Sequence, residues 1–258
     1  MRKRPPSCPS ELPDPAADAV DLSDAGDALT FCGTCAFSSA CAAAGYNKPG
    51  LAELQCLVEH VGPFRAGEHV FRTGDPFRAI FAVRGGTVKT RVIDLEGREQ
   101  VLGFYLPGEV IGLNAIYPEH FPCDAVALDN AWFCRFSFPA MSALATRIPA
   151  LQQHLFRMLS KELGAASLLA GDHAADERVA AFLLDLTARH AMRGFSGTRL
   201  RLSMSRADIA NYLRLAAETV SRVLSRFGAQ KLIAIEGREL QLLDPDGLRK
   251  IGHALLPD

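Results

Sequence analysis

The chain has 258 residues, enough for two domains, and its apolar content of 48% is ordinary for a globular protein. The net charge of −1 hides a basic C-terminal part, since residues 173–258 hold 13 Lys and Arg against 10 Asp and Glu, which favours a local polyanion partner. No apolar run reaches the ~20 residues of a membrane span and no apolar signal core follows the basic start, so we expect a cytoplasmic protein without membrane association.

Residues 1–30 are rich in Pro, Ala and Asp without periodicity, which predicts a disordered tail. The next segment, residues 31–46, is rich in small residues and carries Cys32, Cys35 and Cys41 in the spacing C-x2-C-x5-C. We expect a loop here that takes its shape around a ligand. A short helix is expected after it, from about Leu51 to Val61.

The sequence pattern from Val61 to Phe138 is that of a β domain. Glycines recur at short intervals, and β-branched and aromatic runs such as Ile80-Phe81-Ala82-Val83 lie between them. Regular short strands separated by glycine turns predict a barrel or sandwich.

Two helices are expected next, because Pro139 and Pro149 each fit the first turn of a helix. Apolar residues recur after Pro149 at steps of three and four, which predicts a long helix that ends near Gly171. We expect this stripe to form a dimer interface, and the alternative is packing on the β domain. Its members are Leu151, Leu155, Met158, Leu159, Leu163 and Ala166.

The remaining sequence predicts a winged helix-turn-helix. Helices are expected from Asp176 to about Met192, from Arg206 to Leu213 and from about Ala216 to Phe227, before strands around Ile233 and Leu240-Gln241-Leu242. Ser205 and Asp208 have the spacing of a capping box at the start of the second helix.

The N-terminal residues of the third helix are the expected readers of base edges, because this part of a helix-turn-helix enters the major groove. Arg bonds guanine, Glu accepts from cytosine, and Ser meets thymine or phosphate. An ordinary ion pair between Glu218 and Arg222 is the alternative. The expected readers are Ala217, Glu218, Ser221 and Arg222, and the expected phosphate contacts are Arg206, Arg214 and Arg226.

The seven cysteines form an odd set, which argues against a disulfide framework. Thiolates are soft ligands, and four of them are the usual complement of a 4Fe–4S cluster, whereas zinc sites tend to use two close pairs. Iron–sulfur, zinc and unliganded thiols all stay open on spacing alone. Cys56, Cys123 and Cys134 compete to be the fourth ligand; Cys56 lies in an apolar helical segment and is expected to be a small core residue, and composition does not decide between the other two.

From about Cys32 to Gly252 the chain resembles the FNR branch of the CRP/FNR transcription regulators. The resemblance rests on the cysteine spacing together with Cys134, on the glycine-turn β segment, and on the sequence from Leu202 to Phe227, in which Glu218, Ser221 and Arg222 match the family's E-x-x-S-R readers. It implies that Cys134 is the fourth ligand, with Cys32, Cys35 and Cys41.

The resemblance also implies an α+β fold with a cyclic-nucleotide-binding-like β-roll sensor domain, a long dimerisation helix and a C-terminal winged helix-turn-helix. The expected ranges are 31–138 for the cysteine loop and β-roll, 139–172 for the connecting and dimerisation helices, and 173–258 for the DNA-binding domain. In such a regulator an intact 4Fe–4S cluster promotes dimerisation and binding to a palindromic TTGAT-type site. Oxygen converts the cluster to 2Fe–2S and destroys it. RNA polymerase is the further partner.

Two features depart from relatives in this fold. The segment Gly108 to Gly112 resembles the start of a phosphate cassette, but Pro118 to Ala127 contains no Arg, so no cyclic nucleotide is expected. Arg214 stands in the turn between two helices, where the family usually has Gly.

Two rival functions differ in chemistry. A CRP-like regulator with a structural zinc or with thiol redox sensing is the main alternative. An iron–sulfur enzyme or electron carrier would leave the helix-turn-helix unexplained, and the sequence carries no catalytic constellation, so we expect a protein that is not an enzyme.

Overall fold

The computed structural model describes residue 37 and residues 58–168 and 171–255. The expected tail and the residues Cys32, Cys35, Cys41 and Cys56 lie outside the described residues. Within the described ranges no helix is long and apolar enough to cross a membrane.

Eight strands form the N-terminal domain as two antiparallel sheets, with strand orders β1-β8-β3-β6 and β2-β7-β4-β5. The strands are β1 (Val58–Phe64), β2 (His69–Phe71), β3 (Ala79–Gly85), β4 (Val88–Ile93), β5 (Glu99–Tyr105), β6 (Val110–Ile111), β7 (Asp124–Ala127) and β8 (Ala131–Ser137). The prediction of a glycine-turn β domain is confirmed.

The predicted helix from Leu51 to Val61 is wrong over its last residues, because Val58 begins strand β1. Val58 pairs with Phe136 and Val61 with Phe133 on β8. Tertiary pairing with a central strand outweighs the local pattern of apolar residues here, and β-branched valine fits a pleated sheet well.

Six helices follow in the described residues: α1 (Phe138–Arg147), α2 (Pro149–Leu168), α3 (Ala175–Ala191), α4 (Arg206–Leu213), α5 (Ala217–Ala229) and α6 (Pro245–Gly252). Strands β9 (Arg199–Arg201), β10 (Ile233–Glu236) and β11 (Glu239–Leu242) form a third sheet in the order β10-β11-β9. The winged helix-turn-helix is confirmed, and the protein is α+β. Sequence patterns missed β9 and α6.

The long helix α2 packs its first half on its own β domain. Leu151 is only 1% exposed and belongs to the same apolar cluster as Met141 and Phe136. Leu155, Met158 and Leu159 are half-buried against that cluster, so packing on the β domain accounts for this part of the predicted stripe.

Further along α2 the stripe turns outward. Leu163 is 71% exposed, and Phe156, which the predicted stripe does not include, is 60% exposed on the same helix. These two residues lie seven positions apart, two turns of helix, so they share a face. The side chain of Ala166 lies outside the described part of the chain. The dimer interface remains a proposal, in which Leu151 stabilises its own subunit.

Arg214 ends α4 in the left-handed conformation, with φ 56° and ψ 45°. A residue with a Cβ is strained there by roughly 1 kcal/mol. We expect Arg214→Gly to raise the free energy of unfolding by up to about 1 kcal/mol, because only glycine adopts this φ without strain. Chemical denaturation checks this, with Arg214→Ala as the control that removes the guanidinium but keeps the strain. Equal stability of the two variants would contradict the backbone explanation.

Candidate functional site

The helix-turn-helix consists of α4 and α5, which bury apolar side chains in one shared core. Ser205 caps α4, since its hydroxyl accepts a hydrogen bond from Asp208 N at 3.0 Å while the Asp208 carboxylate accepts from Ser205 N at 3.0 Å. On α5 the residues Val220, Val223 and Phe227 are buried. The opposite face of α5 is therefore the one that meets solvent.

Three of the four predicted readers lie on this solvent face, whereas Ala217 is half-buried against the core of the domain. Glu218, Ser221 and Arg222 are all exposed. The Ser221 hydroxyl donates to Ala217 O at 2.9 Å, and Arg222 Nη2 donates weakly to Thr219 Oγ1 at 3.4 Å. Among the ion pairs of the described residues none joins Glu218 to Arg222. These side chains are thus presented outward rather than tied to each other.

The three arginines expected at phosphates differ in their surroundings. Arg214 is exposed at the turn. Burial lowers the pKa of Arg206, and its Nη1 atom is buried without a hydrogen-bond partner among the described residues. Arg226 instead forms an ion pair with Asp176 in the first turn of α3, so it meets a phosphate only by exchanging that carboxylate.

Cys134 lies on β8, where its Cα pairs with Ala82 on β3 and with His60 on β1. It is half-buried and packs at the edge of the apolar cluster between this sheet, α1 and α2. Burial, and after it the charge of Arg84, lowers the pKa of His60, the residue of β1 that pairs with Cys134.

Phe37, which stands between Cys35 and Cys41 in the sequence, is completely buried in that same cluster. Its ring makes an edge contact with Phe136 at 5.0 Å, two residues beyond Cys134, and another with the ring of His154 on α2 at 5.9 Å. One aromatic side chain therefore connects the cysteine segment with both the Cys134 strand and the long helix. Sequence patterns gave no sign of this contact.

Cys123, the competing candidate ligand, lies elsewhere. It is 1% exposed inside the β-roll, and its sulfur accepts a hydrogen bond from Asn114 Nδ2 at 3.5 Å. Burial raises the pKa of the Cys123 thiol. The described residues contain no group of three or more potential metal ligands, and Cys32, Cys35 and Cys41 are not among them.

A second feature missed from the sequence joins the two domains. Lys89 on β4 is only 8% exposed, and its ammonium donates to Glu99 at 2.6 Å and to Asp208 of α4 at 2.5 Å. The Asn211 side chain accepts from Val101 N and donates to Glu99 O, each at 2.7 Å. We call these bonds the β5–α4 contact. A lysine within the buried first half of β4 was the available signal for it.

The pKa values of both carboxyls in this contact are shifted in the same direction. Burial acts to raise the pKa of Asp208, but hydrogen bonds from Lys89 and Ser205 hold it below its ordinary value. Glu99 behaves alike, with burial opposed by hydrogen bonds from Lys89 and Arg91 that lower its pKa. Both carboxylates are therefore charged at neutral pH.

The comparisons with known proteins agree with this architecture. A family model described as a Crp-like helix-turn-helix domain matches residues 177–251, and a cyclic nucleotide-binding domain model matches residues 62–147. The transcriptional activator protein Anr of Pseudomonas protegens is 42% identical over 217 residues, which cover 83% of this chain and 89% of that protein.

Two further relatives extend the comparison. The fumarate and nitrate reduction regulatory protein of Escherichia coli K12 is 35% identical over 232 residues, covering 88% of this chain and 93% of the relative. The solved structure of FixK2 from Bradyrhizobium japonicum superposes with a TM-score of 0.68 at 29% identity, covering 75% of this chain and 96% of that one. The chain thus belongs to the FNR branch of the CRP/FNR family of transcription regulators.

Proposed function

We propose that this protein is an oxygen-responsive transcription regulator in which Cys32, Cys35, Cys41 and Cys134 hold a 4Fe–4S cluster. The observation that carries the proposal is the position of Phe37. This residue stands between Cys35 and Cys41 and is buried among the apolar side chains of β8 and α2. A ligand held by this segment then acts on the long helix directly.

The donor set fits such a cluster. Four thiolates are the usual ligands of a 4Fe–4S centre, and Cys134 is one of them at the edge of the apolar cluster that holds Phe37. When bound, the cluster supplies sensitivity to oxygen, which converts it to 2Fe–2S and then removes it.

The chain's own residues convert ligand binding into assembly. Ligation orders the segment that carries Phe37, and Phe37 stabilises the start of α2 through His154. Phe156 and Leu163 share an exposed face of α2, and this face is the one that meets a second copy in the proposed dimer. Shifting an equilibrium from mostly monomer to mostly dimer takes ~5 kcal/mol, which is within the range of ligation energies.

The dimer reads a palindromic TTGAT-type site through α5. Arg222 donates to guanine, Glu218 accepts from cytosine and Ser221 contacts thymine or phosphate. Arg206 is proposed as a phosphate contact, since its Nη1 has no hydrogen-bond partner among the described residues and gains one when the side chain turns outward to a phosphate oxygen. RNA polymerase is the expected further partner, because relatives in this branch are named transcriptional activators.

A cyclic nucleotide is not part of the proposal, although the β domain matches the model for such domains. Aromatic rings pack against one another in the interior of the roll, where Phe71 stacks on Phe121 at 3.8 Å and Phe81 meets Phe133 at 6.3 Å. Glu109, in the segment that resembles a phosphate cassette, pairs with Arg189 at 3.0 Å. The Glu109 carboxylate is thus engaged by a residue of α3.

We expect Arg222→Ala to lose discrimination at one base pair of each half-site by about 5- to 150-fold, which corresponds to roughly 1–3 kcal/mol. Non-specific affinity should stay the same, because Arg222 is not assigned to a phosphate. Binding to matched and singly mismatched sites, measured at one salt concentration, checks this. An equal fall at both kinds of site would mean that Arg222 contacts the backbone instead.

The chemical identity of the ligand is tested by purifying the full chain under strictly anaerobic conditions. We expect a straw-brown protein with four iron and four sulfide ions per chain, as a 4Fe–4S centre requires. Colourless protein with stoichiometric zinc would support the CRP-like zinc alternative and overturn the proposal. Colourless, metal-free protein that reversibly forms a disulfide would support thiol sensing instead.

A further inference from the structure

We propose that the β5–α4 contact, through Lys89 and Asn211, sets the spacing between half-sites that the dimer accepts. This inference rests on the proposed function, since it concerns a two-fold dimer on a palindromic site. It assigns Lys89 and Asn211 as positioning residues, which act on DNA only through the orientation of α5.

Asn211 completes the open edge of a sheet. Strand β5 is the last strand in the order β2-β7-β4-β5, so its backbone groups on that side have no strand partner. The Asn211 amide satisfies one donor and one acceptor there, at Val101 N and Glu99 O. Two bonds from one side chain fix both the distance and the rotation of α4 against the edge.

Lys89 holds the same helix three residues earlier, at Asp208. Its buried ammonium is stable only while both carboxylates accompany it, because an unpaired buried charge is costly. Asp208 also forms the capping box of α4, so the Lys89 bond holds the first turn of the helix. The contact therefore holds α4 at its first turn, through Asp208, and one turn later, through Asn211. Two points of attachment oppose tilting of α4 against the β-roll.

Apolar contacts surround these bonds. The Phe104 ring of β5 lies 5.3 Å from Tyr212 of α4 and 6.0 Å from Phe182 of α3. Val101, Phe104 and Leu106 belong to one buried cluster with the core of the DNA-binding domain. Arg189 of α3 adds a bond to Phe104 O at 3.0 Å. The polar bonds thus select one orientation of a large apolar interface.

The β-roll is the common base of both functional helices. Helix α2 is attached to it through Leu151 and its neighbours, and α4 is attached through the β5–α4 contact. In a two-fold dimer formed along α2, the separation of the two α5 helices follows from these two attachments. Half-sites lie about 34–36 Å apart, and one inserted base pair shifts a half-site by about 3.4 Å.

The exposure of the reader side chains indicates how loss of the contact should change DNA binding. Glu218, Ser221 and Arg222 stay exposed while the contact is closed, so it orients the readers rather than covering them. Breaking the contact should let the DNA-binding domain rotate relative to the β-roll. We then expect weaker binding to the palindrome with the natural spacing and a smaller difference in affinity between palindromes of different spacing.

The test compares the anaerobic full chain with Asn211→Ala and Lys89→Met on three palindromes, with the natural spacing and with one base pair inserted or removed at the centre. For the unmodified protein we expect strong preference for the natural spacing. For each variant the preference should fall at least about fivefold, equivalent to roughly 1 kcal/mol from the lost hydrogen bonds. Iron content and dimer dissociation constant should stay at the unmodified values.

The matched control is Arg249→Ala, which removes an exposed ion pair with Asp246 elsewhere in the same domain and should leave the preference unchanged. A variant that binds all three palindromes more weakly by one common factor, or that keeps the full preference, overturns the inference. Failure of the unmodified protein to bind any palindrome overturns the proposed function instead. Because the two variants remove different bonds, one that folds poorly leaves the other to decide.

Discussion

Cys134→Ser should abolish the anaerobic function while leaving the fold intact. We expect iron and sulfide content to fall to a small residue, because a cuboidal cluster loses one of its four ligands. Operator affinity should fall toward the non-specific level, a loss on the order of 10³-fold. Metal analysis and binding to a palindromic site, both under anaerobic conditions, measure these effects.

The matched control is Cys123→Ser, which changes the other described cysteine by the same atom. Cys123 is buried inside the β-roll beside Asn114, in a different apolar cluster from Phe37. This variant should keep its iron and its operator affinity, with some loss of thermal stability. If instead Cys123→Ser removed the iron and Cys134→Ser kept it, the choice of the fourth ligand would be wrong.

Phe37→Ala should separate cluster binding from dimerisation. All four cysteines remain, so iron content should stay near the unmodified level. The dimer dissociation constant of the iron-loaded protein should rise at least about tenfold, because a buried Phe to Ala change removes about 3–5 kcal/mol of packing and part of it couples the segment to α2. Anaerobic sedimentation of loaded and cluster-free protein checks this.

The informative quantity for Phe37 is a ratio of two dimer dissociation constants, that of the iron-loaded protein and that of the cluster-free protein. A purely structural role would lower the melting temperature and leave this ratio unchanged, which would contradict the coupling role. Phe37→Leu serves as the conservative control, since it keeps an apolar side chain in contact with Phe136 and should restore most of the ratio.

The two helices of the helix-turn-helix that presents the proposed readers were predictable from sequence because their determinants are local. The Ser205 and Asp208 capping box fixed the start of α4, and buried residues at Val220, Val223 and Phe227 follow the helical period. Signals of this kind lie within a few residues of one another, so they can be read without the tertiary structure.

Features that depend on distant residues were not predictable. Lys89 meets Asp208 across 119 positions, and Phe37 meets His154 across more than a hundred, so no local pattern encodes either contact. Arg226 looked available for phosphate, yet Asp176, fifty positions earlier, pairs with it. Val58 begins a strand for the same reason, since its partner is Phe136.

The most direct test of the central claim follows operator binding and the visible absorption of the cluster together, in one anaerobic sample exposed to measured additions of oxygen. If thiolate-bound iron–sulfur controls assembly, both signals decline in parallel and the protein loses the operator as it becomes monomeric. Operator binding that persists at full strength after the absorption has disappeared would contradict the account.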